Sequence, residues 1–160
     1  MILRTATARD LDALTAVEAA CFPAAEAATR EELAERLRAY GDHFWLLFDG
    51  ETLVSFVDGM VTDLPDLTDE MYADTSFHDE NGAWQMIFGV NTLPAYRKQG
   101  FAGRLLERAI ADAKAQGRKG LVLTCKDRLV HYYAKFGFAN EGVSESVHGG
   151  VTWYQMRLTF

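Results

Sequence analysis

The sequence predicts a single α+β domain with one mixed sheet of six to seven strands and helices on both faces. Its 160 residues match the usual size of one domain and can bury a core without a disulfide or metal staple. Hydrophobic residues make up 49% of the chain and charged residues 24%, which excludes collagen-like, disulfide-scaffold and disordered classes. Helical and strand periods follow one another in the order βααβββαβαββ, which indicates a mixed sheet.

Two capping boxes predict where the first helices begin. The segments Thr7–Asp10 and Thr29–Glu32 each place a hydroxyl at a helix start and a carboxyl three residues later. Apolar residues at helical spacing follow each box, so we expect one helix over about 8–20 and another after the second box. A strand at Ile2–Thr5 precedes both helices, and Pro23 ends the first of them.

Five further segments have the composition of strands, and an Asp49-Gly50 turn between the first two predicts a hairpin. They are Phe44–Phe48, Thr52–Met60, Trp84–Asn91, Gly120–Cys125 and Thr152–Phe160. An apolar stripe over Phe101–Gly117 predicts a long helix, and Leu129–Phe136 a short one. The polar segment 61–81 has weak periodicity, so we expect a mobile loop there with one helical turn at Glu70–Ala73.

The cysteines and the absence of targeting signals bear on location. Cys21 and Cys125 match no metal-ligand spacing, so we expect buried free thiols in a reducing compartment and no metal site. The first ten residues lack the basic and apolar regions of a signal peptide. No segment reaches the ~20 apolar residues of a membrane span. We therefore expect a cytoplasmic protein without a membrane partner.

The charge is unevenly distributed along the chain. The net charge is −7, but the segment 95–135 carries +7 and the remainder −14. A basic segment in an acidic chain favours a localised anionic ligand, with a merely solvated helix face as the alternative. The sequence pI of about 5.0 argues against general nucleic-acid binding.

A glycine-containing turn joins the strand at 84–91 to the long helix. Arg97 and Lys98 add positive charge, Gly100 allows close backbone approach, and the small Ala102 and Gly103 leave that approach open. A helix start presents unpaired N–H groups and the positive end of the helix dipole, which suits a phosphate. The turn lacks both the Gly-Lys-Ser/Thr and the Gly-x-Gly-x-x-Gly patterns of nucleotide-binding loops. A helix start whose glycine only permits tight packing is the alternative.

Two motifs carry a resemblance to a known family. Arg97-x-x-Gly100-x-Ala102 after an apolar strand resembles the Gln/Arg-x-x-Gly-x-Gly/Ala element of the GNAT superfamily of acyl-CoA N-acyltransferases. Tyr133-Ala134-Lys135-Phe136-Gly137-Phe138 is similar to that superfamily's Tyr-x-x-Phe/Leu-Gly-Phe segment. Residues 123–133, with Cys21-Phe22-Pro23, further resemble the serotonin (arylalkylamine) N-acetyltransferase branch.

The resemblance implies acetyl-CoA as cosubstrate, held where two central parallel strands splay apart. The residues that it implies for the diphosphate are Arg97, Lys98, Gln99, Gly100, Phe101, Ala102 and Gly103. It also implies that the pantetheine arm pairs with Phe88, Gly89 and Val90, where a β-bulge directs one N–H at the thioester carbonyl. Gly89 suits such a backbone.

The resemblance also implies catalytic roles. Tyr133 holds the position of the acid that protonates the departing thiolate, as a phenol that keeps its proton at neutral pH can do; it also contacts the cofactor. The branch's two histidines correspond to Trp84 and Met86, which cannot take a proton. We therefore expect the base to be His78, with Asp79 and Glu80 or solvent as alternatives.

Aromatic and apolar residues are candidates for the acceptor pocket. Phe22, Pro23, Trp84 and Met86 would line it, and the acidic segment 63–80 would attract a cationic amine. We thus expect direct acetyl transfer to a small aromatic or hydrophobic primary amine, by a monomer or homodimer. A peptide N-terminus, lysine or polyamine acceptor and a non-catalytic acyl-CoA-binding module are the alternatives.

Overall fold

A computed structural model describes residues 1–160 of the chain. Its helices are α1 (Leu11–Cys21), α2 (Arg30–Tyr40), α3 (Asp69–Ala73), α4 (Phe101–Ala115) and α5 (Val130–Ala134). Its strands are β1 (Ile2–Thr5), β2 (Phe44–Asp49), β3 (Thr52–Asp58), β4 (Val61–Thr62), β5 (Trp84–Ile87), β6 (Gly89–Thr92), β7 (Gly120–Cys125), β8 (Ala139–Val143) and β9 (Tyr154–Thr159). The chain forms two compact units, a first unit of residues 1–59 and 89–109 and a second unit of residues 60–88 and 110–160.

The first unit is built on a four-stranded antiparallel sheet in the order β1-β2-β3-β6. The hairpin turn between β2 and β3 closes at Gly50, whose φ of 58° is the left-handed conformation that glycine adopts readily. The capping box of α2 is confirmed, because Glu32 N–H donates to Thr29 Oγ1 at 3.2 Å and Thr29 N–H donates to Glu32 Oε1 at 3.0 Å. The large fully buried side chains of this unit include those of Leu14, Leu33, Phe44, Trp45 and Phe56.

The second unit is built on a five-stranded mixed sheet in the order β4-β5-β7-β9-β8. Strands β5 and β7 run parallel, from Trp84 opposite Gly120 to Ile87 opposite Leu123, and the other pairs are antiparallel. Gly120 is required at its position, because a Cβ there would lie 1.9 Å from the carbonyl oxygen of Leu158. The fully buried side chains of Met71, Met86, Leu121 and Met156 form the core of this unit.

The expectation of one sheet of six to seven strands is corrected to nine strands in two sheets. The apolar run 84–91 is interrupted at Phe88, so that β5 pairs with β7 while β6 pairs with β3. The ladder between β5 and β7 stops at Leu123, although β7 continues to Cys125.

The segment 61–81 is more ordered than the expected loop. It contains β4, α3 and a 3-10 turn at Thr75–Phe77. Val61, Leu67 and Met71 are buried, and the Leu67 N–H donates to Gln155 Oε1 at 3.2 Å. β4 and α3 contribute one buried apolar residue each and the 3-10 turn none, which explains why no periodicity is visible in the sequence. As for membranes, no helix of the structure has the length and apolar character needed to cross one.

Candidate functional site

The turn between β6 and α4 presents exposed backbone at the start of the long helix. The Arg97 Nε donates a 3.0 Å hydrogen bond to the Thr92 carbonyl, and residues 97–100 are exposed. The Arg104 N–H donates to the Gly100 carbonyl at 3.1 Å, which is the first bond of the helical ladder. The N–H groups of residues 101–103 therefore have no acceptor within the helix.

Two residues of this turn have left-handed backbone conformations. Lys98, with a φ of 63°, is the one non-glycine residue of the chain with positive φ, and Gly100 has a φ of 80°. A Cβ on Gly100 would meet nothing within 4 Å, so the space beside it is open. Consecutive N–H groups that converge in such a turn form an anion-binding concavity next to the positive end of the helix dipole.

A buried polar cluster surrounds the start of β6 in the first unit. We call it the Gly89 cluster, and it consists of Glu18, Arg36, Asp58 and Asn91 around Gly89. A Cβ on Gly89 would lie 2.9 Å from Asn91 Nδ2, 3.0 Å from Asp58 Oδ1 and 3.7 Å from Glu18 Oε1. Three polar side chains thus converge on the backbone of this glycine.

Only part of this cluster is paired. Arg36 Nη1 donates to Asp58 Oδ2 at 3.1 Å, and the Ala28 N–H donates to Glu18 Oε2 at 2.9 Å. Glu18 Oε1 and Asp58 Oδ1 are buried without a hydrogen-bond donor. Burial of an acceptor without a donor costs free energy, so two such oxygens beside one glycine are unusual and indicate a functional role for this cluster.

Burial dominates the electrostatics of the Gly89 cluster. Burial, and after it the neighbouring charge of Asp58, raise the pKa of Glu18 to about 7. Three groups act in the opposite direction and lower this pKa, namely the Ala28 N–H, Arg36 and Asn91. Burial also raises the pKa of Asp58, opposed by its ion pair with Arg36. A carboxyl whose pKa lies near neutrality can both accept and release a proton under ordinary conditions.

The sequence-based reasoning missed this cluster, although a signal was present. Glu18 follows Leu14 and Val17 on the apolar side of α1, and Arg36 lies three residues after the buried Leu33. Asp58 ends an otherwise apolar strand. Charged residues at positions where the helical or strand period demands apolar ones indicate buried charge.

Tyr133 lies on α5 in the second unit, with its ring buried against Tyr132 at 5.1 Å and Phe138 at 6.2 Å. Burial is the main reason that the pKa of its phenol is raised, and the nearby Cys125 and Tyr132 raise it further. The proton is therefore held throughout the physiological range. Tyr133 is thus both core aromatic and a potential proton donor.

Cys125 is a buried free thiol, as expected. Its Sγ lies 3.6 Å from Met156 Sδ, and burial raises its thiol pKa to about 11. A thiol that stays protonated is a poor nucleophile. Cys21, the other free thiol, is half-buried, and its Sγ donates to the Thr92 carbonyl at 3.3 Å.

The ring of His78 is held by neighbours at both of its nitrogens. Its Nδ1 accepts a hydrogen bond from the Val61 N–H at 3.1 Å, and its Nε2 lies 3.4 Å from Glu80 Oε1. In the neutral ring the proton is then on Nε2, and the lone pair of Nδ1 is already used. Glu80 also pairs with Arg118 at 3.1 Å, and Asp79 Oδ1 caps the Asn81 N–H. This geometry does not favour His78, Asp79 or Glu80 as the base.

The residues expected in the acceptor pocket lie in different environments. Met86 is fully buried in the core of the second unit, and Trp84 is stacked under the Arg157 guanidinium at 4.5 Å. Phe22 is half-buried and Pro23 exposed in the first unit. The position of Met86 inside the sheet core argues for packing rather than substrate contact.

The second unit instead holds an aromatic cluster, made of Tyr72, Phe88, His148 and Trp153. The Tyr72 ring lies 4.6 Å from Phe88 and stacks on His148 at 5.2 Å, and His148 lies 6.1 Å from Trp153. All four side chains are half-buried. The Trp153 indole N–H donates to the His148 carbonyl at 2.7 Å, which fixes the last ring.

Comparisons with known proteins agree with these features. The family model described as the acetyltransferase (GNAT) domain matches residues 10–160. The chain belongs to the GNAT acetyltransferase family. The mixed α+β fold expected from the resemblance is thereby confirmed.

Solved GNAT structures resemble this chain over nearly its whole length. One is described as the GphF GNAT-like decarboxylase in complex with isobutyryl-CoA, with 25% identity over 99% of both chains and a TM-score of 0.85. Another is the loading GNAT-like domain of CurA from Lyngbya majuscula, with 19% identity, 99% and 96% coverage and a TM-score of 0.85. The PaiA N-acetyltransferase of Thermoplasma acidophilum with coenzyme A has 16% identity, 99% and 98% coverage and a TM-score of 0.73.

The turn of this GNAT chain fits the diphosphate of an acyl-CoA substrate. It offers the unpaired N–H groups of residues 101–103, open space at Gly100 and the basic side chains of Arg97 and Lys98. Family membership and this fit support an acyl-CoA-dependent acyltransferase activity.

Proposed function

We propose that this GNAT protein transfers the acetyl group of acetyl-CoA directly to the primary amine of a small aromatic or hydrophobic substrate. The observation that carries the proposal is the aromatic cluster of Tyr72, Phe88, His148 and Trp153. Phe88 begins the segment that the family resemblance assigns to the pantetheine arm. A half-buried aromatic wall beginning at this residue suits an aromatic acceptor, because offset and edge contacts between rings are favourable.

An acidic cavity is adjacent to this cluster along the chain, since its lining residue Val147 directly precedes His148 and its Glu70 lies two residues before Tyr72. This cavity of about 600 Å³ is lined by residues 66–70, 141–147 and Gln155. Its acidic members are Asp66, Asp69, Glu70, Glu141 and Glu145. Most amines are protonated at neutral pH, and a carboxylate-lined cavity raises their local concentration. An aromatic cluster and a carboxylate-lined cavity that are adjacent along the chain match an aromatic ammonium ion better than a neutral or anionic acceptor.

The chemistry assigns three tasks to the chain. The amine must lose a proton, the thioester oxygen must be stabilised as it becomes anionic, and the departing thiolate must gain a proton. A backbone N–H near Gly89 would serve the second task, and such a donor typically contributes about 2.7–4 kcal/mol. Tyr133 would serve the third. The raised thiol pKa of Cys125 supports direct transfer over an acetyl-enzyme.

Release of coenzyme A thiol from acetyl-CoA tests this function. Phenethylamine, spermidine, a lysine peptide and a peptide with a free N-terminus would serve as acceptors, and N-acetylphenethylamine as the control without a basic amine. We expect phenethylamine to give at least about tenfold higher kcat/KM than the others. A higher kcat/KM for spermidine or a peptide would contradict the aromatic acceptor and identify that class as the substrate instead. Binding of acetyl-CoA without any turnover would instead support a non-catalytic module.

A second candidate is decarboxylation of an acyl-CoA, which is favoured by the 25% identity with the GphF decarboxylase over 99% of both chains. In that reaction the bond between the α-carbon and a carboxylate breaks, carbon dioxide leaves, and the α-carbon takes up a proton. Incubation with dimethylmalonyl-CoA, whose decarboxylation yields isobutyryl-CoA, separates the two candidates. We expect no isobutyryl-CoA by mass spectrometry, and its formation without any amine would favour the decarboxylase.

A further inference from the structure

Glu18 is buried with one carboxylate oxygen hydrogen-bonded and the other without a donor. Its Oε2 accepts the Ala28 N–H at 2.9 Å, which fixes the carboxyl in place. Its Oε1 is buried without a donor and lies 3.7 Å from the point that a Cβ on Gly89 would occupy. Because Gly89 has no side chain, nothing on that residue covers this oxygen.

The charged neighbours of Glu18 separate its role from that of Asp58. Asp58 is fully buried and shares its Oδ2 with Arg36 at 3.1 Å, so the ion pair stabilises its charge. Glu18 has no such partner. The groups that act on it are the Ala28 N–H, Asn91, Arg36, Asp58 and the thiol of Cys21. Of the two carboxyls, Glu18 is the one whose pKa burial brings close to neutrality, at about 7.

We propose that Glu18 is the proton acceptor for the attacking amine, taking the place expected for His78. This inference rests on the proposed N-acetyltransferase function. It places a carboxylate at the start of β6, next to the residue whose backbone the family resemblance assigns to the thioester carbonyl. The histidines absent at Trp84 and Met86 are then not needed.

The proton and electron balance of the step is simple. Glu18 as carboxylate takes one proton from the substrate ammonium through Oε1 and becomes a neutral carboxyl. The freed nitrogen lone pair forms the bond to the acetyl carbon, and the bond from that carbon to sulfur breaks with its electron pair on sulfur. Tyr133 gives its proton to the sulfur and regains one from solvent. Glu18 then releases its proton to solvent.

The pKa of Glu18 supports this role, because a base works best when its pKa is close to the working pH. Burial brings the pKa of Glu18 to about 7, so proton transfer from an ammonium ion is less unfavourable than to a carboxyl with the ordinary value of 4.5. The negative charge of Asp58 contributes in the same direction, and Arg36 opposes it. Changing either neighbour is therefore expected to move the pH at which activity appears.

The test compares the pH dependence of kcat/KM in four proteins. These are wild type, Glu18→Gln, Glu18→Asp and the control Glu35→Gln, which removes an exposed carboxylate of α2 in the same unit. Phenethylamine is the acceptor, and coenzyme A binding is measured separately by calorimetry. The Asp variant keeps a carboxylate in place, so the test stands even when the Gln variant folds poorly.

We expect wild type and Glu35→Gln to show the same rise of kcat/KM centred near pH 7, the pKa of Glu18. Glu18→Gln should lose that rise and lose about 100-fold or more in activity on the plateau, with coenzyme A affinity unchanged. Glu18→Asp should keep the rise at a reduced rate. A Glu18→Gln protein with wild-type activity and pH profile overturns the role of Glu18 alone. A wild type that binds coenzyme A but acetylates no amine overturns the proposed function, and the role of Glu18 with it.

Discussion

Burial raises the pKa of three side chains in this protein well above their ordinary values. Glu18 shows this most clearly, because desolvation moves the pKa of its carboxyl from 4.5 to about 7. The same effect raises the pKa of Tyr133 and makes Cys125 an unreactive thiol with a pKa of about 11. Burial thus gives Glu18 the pKa that its proposed role as base requires, keeps the proton on Tyr133 and leaves the Cys125 thiol protonated.

The pH dependence of stability tests the environment of Glu18 without any substrate. Its pKa is raised on folding, so its contribution to stability is fully present below about pH 4.5 and is lost as pH rises through about 7. Glu18→Gln removes this loss. As pH rises from about 5 to about 8, we expect the free energy of unfolding of the variant to increase by about 2–3 kcal/mol relative to that of wild type. This corresponds to roughly 5–10 °C in Tm.

Thermal melts at both pH values measure this difference, and Glu35→Gln, which changes an exposed carboxyl, is the control. A constant Tm difference between Glu18→Gln and wild type across the range would mean that Glu18 titrates with an ordinary pKa.

Removal of one hydroxyl tests Tyr133 as the acid. Tyr133→Phe keeps the ring packing on Tyr132 and Phe138 but removes the proton donor. We expect kcat to fall by about 10²–10⁴-fold and coenzyme A affinity to stay nearly unchanged. Stopped-flow or steady-state thiol release measures the first quantity and calorimetry the second. Tyr132→Phe, next in the chain, should keep wild-type turnover, and a fully active Tyr133→Phe would exclude Tyr133 as the acid.

Among the elements, the short helix α3 holds one wall of the proposed acceptor site. Asp69 accepts hydrogen bonds from Ser146 Oγ at 2.5 Å and from the Val147 N–H at 3.0 Å, directly before His148 of the aromatic cluster. Asp69→Asn replaces a carboxylate oxygen with an amide group that cannot accept from both donors. The segment that carries His148 and Trp153 should then become less ordered.

We therefore expect Asp69→Asn to raise the KM for phenethylamine several-fold while kcat and coenzyme A affinity change little. Glu70→Gln removes one negative charge from the neighbouring position without these hydrogen bonds, and it separates the loss of order from the loss of charge. Equal KM values for the two variants would show that charge alone matters.

The elements also show which parts of the fold could be predicted from the sequence. The capping box at Thr29–Glu32 and the hairpin turn at Gly50 are local signals, and both are confirmed. The interruption of the apolar run at Phe88 could not be predicted, because it depends on pairing with β3 and β7, each more than thirty residues away. Short elements such as β4 and α3 are set by tertiary contacts of single apolar residues.

The same distinction applies to the site. The turn at 97–103 is one contiguous segment, so its glycine and its charges could be interpreted together. The Gly89 cluster draws on α1, α2, β3 and β6, and only the folded first unit brings Glu18, Asp58 and Gly89 together. Its sequence signal was one charged residue in each of three buried patterns, namely Glu18 in α1, Arg36 in α2 and Asp58 in β3.

For the whole molecule, charge and coenzyme binding are linked. The chain carries −7 overall while the segment 95–135 carries +7, and this segment includes the turn at residues 97–103 that is proposed to bind the diphosphate. A polyanionic coenzyme should be attracted by this segment and repelled by the rest, so its affinity depends on screening. We expect the Kd for coenzyme A to rise several-fold between low and physiological salt. A salt-independent Kd would mean that Arg97 and Lys98 contribute little.

The most direct test concerns the backbone amides at the start of α4. Gly100 and Gly117 lie at opposite ends of this helix, with φ values of 80° and 79°, and a Cβ on either would meet nothing within 4 Å. Alanine at either position therefore adds similar backbone strain, but only Gly100→Ala puts a methyl group where the diphosphate is proposed to approach. Calorimetric titration with coenzyme A should give wild-type affinity for Gly117→Ala and at least about tenfold weaker binding, about 1.4 kcal/mol, for Gly100→Ala. Absence of heat from wild type at millimolar coenzyme A, or equal affinity of the two variants, would contradict the proposed binding of the diphosphate by this turn.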